Sequence, residues 1–173
     1  SGNNNNGTLN GTAAWSAGEF GSAINLAGYG HVYVPHNSAI EFNNSSFTVC
    51  FWLKGNPATV WAAQPVNGEL GEARVVQKGT DGKEGLAGAN GGGSGKRYQF
   101  FLHKRSSQLR WTIDDNTHDV YGKSEATAEA SAFLKDEWVH VAGMRNMSLP
   151  AEDRIRLYAD GKLKNSSLDQ SDG

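Results

Sequence analysis

The chain has 173 residues, of which 16 are Lys or Arg and 18 are Asp or Glu, giving a formal net charge of -2. This length is typical of one domain, and the balanced charge excludes the strongly basic field of a dedicated nucleic-acid-binding protein. The single cysteine, Cys50, excludes an intramolecular disulfide and a cysteine-based metal site. Because the longest apolar run, residues 49–53, is far shorter than the roughly 20 residues of a membrane helix, we expect no transmembrane segment.

The first predicted element is a β-hairpin near the start of the chain. Alternating segments at residues 22–27 and 31–35 flank Gly28-Tyr29-Gly30, a connection of hairpin length. Further period-two runs predict strands at residues 47–54, 73–78, 97–104, 108–114, 137–145 and 154–160. Seven or eight short strands separated by turn residues indicate an all-β chain.

The run at residues 47–54 has two distinct faces. Phe47 and Phe51 alternate with Cys50 and Trp52, so one side of the strand is apolar and the other is mixed. We assign the apolar side to the core. Because Cys50 lies within this largely apolar run, we expect its thiol to be buried and unreactive.

Helical signals are weak. The best candidate, residues 124–134, is rich in Ala but has no apolar stripe, so we interpret it as a loop with a short helical turn. Residues 55–71 are interpreted as an inserted loop that carries Trp61. Short strands, frequent turns and little helix predict an antiparallel two-sheet β-sandwich of jelly-roll type.

Seven segments carry a resemblance to a known family. They are residues 1–9, 15–28, 33–35, 46–54, 75–79, 137–142 and 157–163. Among them, Glu137-Trp-Val-His-Val-Ala142 alternates about one buried face, and Ala159-Asp-Gly-Lys162 is typical of a hairpin turn. Their order resembles the laminin G-like domains of the concanavalin A-like lectin/glucanase superfamily, in the form common in secreted and surface proteins of bacteria. The resemblance implies one concanavalin A-like jelly-roll domain over residues 1–173.

The chain departs from the family pattern in two places. Leu26-Ala27-Gly28 lacks the acidic residue of the matching strand end, and the chain stops at Gly173 before the family's closing strands. The resemblance therefore implies a C-terminally truncated fragment of a larger protein, or a neighbouring domain or subunit that covers an open sheet edge. Both departures remove carboxylates, so we expect at most a weak calcium site near Asn4 and Gly28, built from amide and backbone oxygens.

The sequence contains no recognisable catalytic pattern. Glycosidases need two carboxylates at a fixed separation, and alternate positions on one strand aim both at the same face. Asp114 and Asp115 are adjacent, as are Asp136 and Glu137, so the members of each pair would point to opposite faces. His140 alternates with core positions and is interpreted as a packed structural histidine. We therefore expect no catalytic residues.

The aromatic and basic strand at residues 97–104 offers the best candidate ligand surface. If alternate residues enter the core, the other face presents a ring and hydrogen-bonding groups of the kind that bind sugars. The candidate ligand-binding residues are Trp52, Trp61, Gln99, Phe101, His103 and Arg110. Single-stranded nucleic acid is the alternative ligand for such a stretch, and the balanced charge argues against it.

These patterns favour a non-catalytic, lectin-like carbohydrate-binding or adhesion module of a secreted or cell-surface bacterial protein, with a polysaccharide or glycan as its partner. The alternative is a structural module that packs against another domain or subunit, and the third hypothesis is a glycoside hydrolase or lyase of jelly-roll type. We expect an extracellular, cell-surface or periplasmic location. Asn-x-Ser/Thr sequons begin at Asn6, Asn10, Asn43, Asn44, Asn146 and Asn165, and they indicate no particular host.

Overall fold

The computed structural model describes residues 5–28, 30–40, 44–62, 72–78, 97–114 and 124–171. The chain separates into two compact units, the N-terminal unit (residues 1–42) and the C-terminal unit (residues 43–173). Strands dominate the described parts of both units, which confirms the predicted all-β class.

The N-terminal unit contains two small antiparallel sheets. Its strands are β1 (Thr8–Asn10), β2 (Ala14–Ala17), β3 (Ser22–Asn25) and β4 (His31–Tyr33), and a 3-10 turn covers Ser38–Ile40. β2 pairs with β3, and β1 pairs with β4. Along the sequence, the β2–β3 hairpin therefore lies between the paired strands β1 and β4.

The predicted hairpin between residues 22–27 and 31–35 is wrong, because β3 pairs with the strand before it. The backbone N–H of Gly18 donates to the Gly21 carbonyl at 3.0 Å, and Gly21 has a φ of 68°. Glycine adopts this conformation readily, so the tight turn returns the chain directly from β2 to β3. β3 and β4 consequently belong to different sheets.

The described residues of the C-terminal unit form two four-stranded antiparallel sheets and a short helix. Its elements are β5 (Phe47–Leu53), α1 (Pro57–Ala62), β6 (Glu72–Lys78), β7 (Arg97–His103), β8 (Gln108–Asp114), β9 (Ser124–Glu129), β10 (Val139–Arg145), β11 (Ile155–Ala159) and β12 (Lys162–Ser167), with 3-10 turns at Ala130–Ala132 and Ala151–Asp153. Sheet I has the order β12-β11-β10-β5, and sheet II has the order β6-β7-β8-β9.

The two sheets share one aromatic and aliphatic core. Phe100 and Trp111 of sheet II are fully buried, with ring centroids 4.5 Å apart. Phe51 of sheet I meets Phe100 edge-on at 5.0 Å. Leu102 and Val139 belong to the same cluster. The predicted antiparallel sandwich is therefore confirmed.

Trp111 fits into this core because the facing residue on sheet I has no side chain. A Cβ atom on Gly143 would clash with the rings of both Trp111 and Phe100. The Trp111 indole N–H donates to the Met144 carbonyl at 3.3 Å, which satisfies the polar group of the ring. Gly143 therefore permits the close approach of the two sheets at this point.

Residues 124–134 differ from the predicted loop, because their first half is strand β9. Ala126 lies opposite Trp111 in the register of β8 and β9 and is fully buried. A small side chain is needed beside the indole, so the Ala content here reflects packing and not helix formation. The 3-10 turn at Ala130–Ala132 confirms the expected short helical turn.

The predicted inserted loop at residues 55–71 begins with a short helix, α1. Asn56 Oδ1 accepts a hydrogen bond from the backbone N–H of Ala58 at 2.9 Å, and Pro57 is the first helical residue. Both are typical helix-start residues. A helix of this length has no apolar stripe to reveal it, and residues 63–71 lie outside the described residues.

A buried ion pair attaches residues 168–171, the C-terminal strap, to the sandwich. Arg145 Nε donates to Asp169 Oδ2 at 2.8 Å, and the two side chains are 1% and 0% exposed. Ser124 Oγ donates to Asp169 Oδ1 at 3.1 Å. Burial acts to raise the pKa of Asp169, but hydrogen bonds from Ser171 and Arg145 outweigh it and hold that pKa below its ordinary value.

β12 is positioned by a tight turn and by a bond to the other sheet. Asp160 and Gly161, with φ values of 49° and 72°, form the predicted hairpin turn between β11 and β12. Asn165 Nδ2 donates to the Thr127 carbonyl of β9 at 2.7 Å. This side-chain amide joins sheet I to sheet II at their edges.

Candidate functional site

Four of the predicted ligand-binding residues lie on the side of sheet II that points away from the core. This Phe101 face comprises Arg74, Gln99, Phe101, His103, Arg110, Thr112 and Glu125. The alternation of β7 places Gln99, Phe101 and His103 together, and the strand register places Arg110 beside Phe101. The face therefore brings together residues that are spread over four strands.

Two guanidinium groups flank the Phe101 ring. Arg74 and Arg110 lie on the neighbouring strands in register with Phe101, and their Cζ atoms are 6.0 and 5.8 Å from the ring centroid. Cations at this distance are attracted to the π electrons of the ring. Arg74 Nη1 also donates to Gln99 Oε1. The ring is thus already engaged by side chains of this chain.

Glu125 forms an ion pair with Arg110. Arg110 Nη1 donates to Glu125 Oε1 at 3.0 Å, and Thr112 Oγ1 donates to Glu125 Oε2 at 3.4 Å. The buried Nε of Arg110 has no hydrogen-bond partner among the described residues. Both carboxylate oxygens of Glu125 act as acceptors, which suits a structural ion pair better than a proton donor.

Ser106 links the His103 ring to Arg110. The backbone N–H of Ser106 donates to His103 Nδ1 at 3.2 Å, and Ser106 Oγ lies 2.7 Å from the same nitrogen. Arg110 Nη2 donates to Ser106 Oγ at 3.2 Å, so the hydroxyl lies between the guanidinium and the imidazole. The backbone and side chain of Ser106 therefore hold the His103 ring in place on this face.

The centre of the Phe101 face is closed to solvent. Phe101, Gln99 and Thr112 are only 2%, 4% and 0% exposed. A sugar ring that stacks on an aromatic side chain needs an accessible ring face. Gln99, Phe101, His103 and Arg110 come together in space, but Gln99 and Phe101 are buried and His103 and Arg110 are half-buried, so the ring is not an open platform.

Trp52 lies on the outward side of the other sheet. This Trp52 face comprises Thr48, Cys50, Trp52, His140, Ala142, Met144, Arg156, Tyr158, Leu163 and Ser166. Trp52 is 42% exposed, and His140, directly opposite it in register, contacts the indole edge-on with ring centroids 5.3 Å apart. The contact positions the indole while leaving part of its surface accessible.

The expectation of a buried Cys50 is wrong, because the thiol is exposed. Val49 and Phe51 take the core positions of β5, so Cys50 points outward beside Trp52. In the same row of paired residues, Leu163 on β12 is 48% exposed. The Trp52 face is therefore an open and largely uncharged strip that crosses four strands.

Two polar side chains on this strip have unused hydrogen-bonding capacity. The ring nitrogens of His140 and the hydroxyl of Tyr158 have no hydrogen-bond partner in the described parts of the chain. The backbone N–H of His140 donates to Asp160 Oδ1 at 2.9 Å, so its strand position is fixed without the ring nitrogens. The two residues are diagonal neighbours on β10 and β11, with Cα atoms roughly 7 to 8 Å apart.

Comparison with known families agrees with the fold. A laminin G-type family model, described as the Concanavalin A-like lectin/glucanases superfamily, matches residues 26–172. The chain belongs to this superfamily. Searches among curated proteins and among solved structures gave no significant match. The match confirms the laminin G-like resemblance, and the matched region of this concanavalin A-like domain includes both the Phe101 face and the Trp52 face.

The remaining predictions for this concanavalin A-like domain concern Trp61 and calcium. The side chain of Trp61, a residue of α1, and all of Asn4 lie outside the described residues, while Gly28 lies between β3 and β4. Within the described ranges, no group of three or more His, Cys, Asp or Glu side chains is arranged to hold a metal ion. Nor does any helix described here combine the length and apolar character needed to cross a bilayer.

Sequence reasoning missed several members of both faces. Arg74 and Tyr158 stood at outward positions of predicted strands, but only the pairing of strands brings them beside Phe101 and His140. Glu125 was missed because the alternation of β9 was hidden by its Ala content. An alternating small-residue pattern was the signal that would have placed it on a strand.

Proposed function

We propose that this concanavalin A-like chain is a non-catalytic carbohydrate-binding module of a secreted or cell-surface bacterial protein, and that it binds glycans through the Trp52 face. The observation that carries the proposal is Trp52, which is 42% exposed and yet held edge-on by His140. A sugar combines an apolar ring face with hydroxyl groups, so a fixed, accessible aromatic ring beside polar groups suits it. Membership of a superfamily that includes lectins supports the proposal.

The arrangement of carboxylates supports a non-catalytic role. Glu125 is held by Arg110 and Thr112 on the Phe101 face. Glu129, the other acid of β9, is four residues further along the strand, which is about 13 Å. Retaining and inverting glycosidases hold their two carboxyl groups roughly 5 to 9.5 Å apart, so this pair does not suit either mechanism.

Affinity gel electrophoresis against a panel of plant and host polysaccharides tests the proposal. The native chain should be retarded by at least one polysaccharide, and Trp52→Ala should weaken that interaction at least about tenfold. Trp15→Ala is the matched control, because Trp15 is 67% exposed but belongs to the N-terminal unit. Each gel is run with calcium and with EDTA, which also tests the expected weak calcium site.

Cys50 provides an independent readout at the same surface. It is the single cysteine of the chain and lies beside Trp52, so a bound glycan should slow its alkylation. Protection of Cys50 by the retarding polysaccharide supports the proposal. Failure of every polysaccharide to bind, or equal binding by native chain and Trp52→Ala, would overturn it.

A structural or interaction module is the second candidate, and one observation favours it. The N-terminal unit exposes large apolar side chains, with Trp15, Phe20 and Tyr33 at 67%, 74% and 58% exposure. Exposed apolar groups of this size are typical of surfaces that meet another protein. A chain that binds no glycan but self-associates, in a manner lost in Trp15→Ser, would favour this candidate.

A further inference from the structure

We infer that the Trp52 face takes a neutral glycan and that His140 and Tyr158 determine its specificity by hydrogen bonding to sugar hydroxyl groups. This inference rests on the proposed function and goes beyond it, because it names the class of ligand and the residues that recognise its hydroxyl groups. It is carried by the charge of the face, by its unused polar groups and by its dimensions.

The charge of the strip does not suit an acidic ligand. Two rows of paired residues make up the strip around the indole. The first row contains Trp52 and His140, and the second contains Cys50, Ala142, Tyr158 and Leu163. None of these residues is Asp, Glu, Lys or Arg. Sugar carboxylates and sulfates are recognised by Arg and Lys through charge-assisted hydrogen bonds, and no described residue of these two rows offers one.

Arg156 and Lys54 lie outside the two rows of residues around the indole. Arg156 lies in the row beyond Tyr158, and its Nε donates to the Asp153 carbonyl at 3.0 Å. Lys54 follows the end of β5 and is exposed. Lys54 therefore serves as the control position, because substituting it changes the charge around the strip without removing an aromatic group.

The unused polar groups are of the neutral kind that recognises hydroxyl groups. Tyr158 offers an O–H that both donates and accepts, and a neutral His140 ring offers one donor and one acceptor. Neither side chain uses these groups in a hydrogen bond to a described residue. When a sugar hydroxyl bonds to either group, it replaces a water molecule with a partner that is held beside the indole. A sugar that lacks this hydroxyl leaves the protein group unpaired, and its affinity is lower.

The strip is long enough for an oligosaccharide. Trp52, His140, Tyr158 and Leu163 lie on the four successive strands β5, β10, β11 and β12. Adjacent strands are about 4.8 Å apart, so three spacings give a length of about 14 Å. A glycan chain that crosses the strands would place one ring on Trp52 and a following ring beside Tyr158.

The test measures affinity for a neutral β-glucan, xylan and starch and for the anionic polygalacturonate and dextran sulfate, each at low and high NaCl. Tyr158→Phe and His140→Phe keep the aromatic packing and remove the hydrogen bonds. Each should weaken binding of the neutral ligand roughly three- to tenfold. Lys54→Ala should leave it within twofold, and added salt should leave it unchanged.

The outcomes separate this inference from the proposed function. Binding that depends on Trp52 but prefers the anionic polymers, or that falls with salt and in Lys54→Ala, overturns the neutral ligand and leaves the proposed site standing. Trp52-dependent binding that is unchanged in both Phe variants overturns the roles of His140 and Tyr158. Failure of every polymer to bind overturns inference and proposed function together. Circular dichroism of each variant establishes that it is folded.

Discussion

The outer faces of the two sheets arise from the same alternation of residues and have opposite properties. On sheet II, Phe101 is 2% exposed, with two guanidinium groups beside its ring. On sheet I, Trp52 is 42% exposed, and its indole meets the His140 ring edge-on. The centre of the more polar face is closed to solvent, and the less polar face is open. A count of polar residues is therefore a poor guide to which face is accessible.

Exchanging each central aromatic residue for Ala gives the largest expected difference between the two faces. Phe101→Ala removes a buried ring and should lower the free energy of unfolding by about 3 kcal/mol or more. Trp52→Ala removes a ring with a large exposed fraction and should cost about 1 kcal/mol or less. Urea unfolding measures both. Equal losses would mean that the two faces are equally buried.

Thiol reactivity sharpens the same contrast. Thr112 is 0% exposed at the centre of the Phe101 face, whereas Cys50 is exposed on the Trp52 face. A Thr112→Cys thiol in a Cys50→Ser background should react with maleimide at least about 30-fold more slowly than native Cys50, because reaction requires local opening. Comparable rates in the two folded proteins would contradict the closed state of the Phe101 face.

The Arg110–Glu125 pair tests what holds the closed face together. Glu125→Ala leaves Arg110 Nη1 without its carboxylate partner, beside an Nε that already has none among the described residues. We expect a loss of about 1.5 kcal/mol in the free energy of unfolding. Glu125→Gln retains an acceptor oxygen and should cost less. If both variants match the native chain, the ion pair contributes nothing to closure.

The smallest expected effect concerns the C-terminal strap, which belongs to neither face. There the free energy of unfolding should depend on pH. The pKa of Asp169 is held below its ordinary value, about 3.9. Its carboxylate therefore contributes stability that is complete above about pH 4 to 5 and is lost as pH falls through the lowered pKa. Urea midpoints from pH 6 to pH 2.5 should fall more steeply for the native chain than for Asp169→Asn. Parallel curves would contradict this contribution.

The strands of the sandwich were predictable where large apolar residues alternate with polar ones. β8 lies at the predicted residues, because Leu109, Trp111 and Ile113 point into the core and polar residues separate them. β9 was missed, since the indole of Trp111 demands small residues such as Ala126 and small residues carry little periodic signal. Side-chain size in one strand is thus dictated by a partner strand that sequence alone does not identify.

The outward direction of Trp52 and Phe101 was predictable from the sequence, but the exposure of the two rings was not. Alternation correctly placed Trp52 and Phe101 on outward faces of their strands. Their opposite exposure depends on what surrounds each ring after folding, such as the two arginines that strand pairing brings to Phe101. The same limit explains Cys50, whose apolar neighbours in sequence point to the other side of the strand.

The bond from Asn165 to Thr127 bears on how the protein should be produced. Asn165 begins a sequon, and the nitrogen that oligosaccharyltransferase would modify is the same Nδ2 that donates to the Thr127 carbonyl at 2.7 Å. An attached oligosaccharide needs the space between β12 and β9 that this direct bond occupies. Protein secreted from yeast or mammalian cells with Asn165 modified will therefore melt at a lower temperature than unmodified protein, and an Asn165→Asp preparation will not reproduce the native junction.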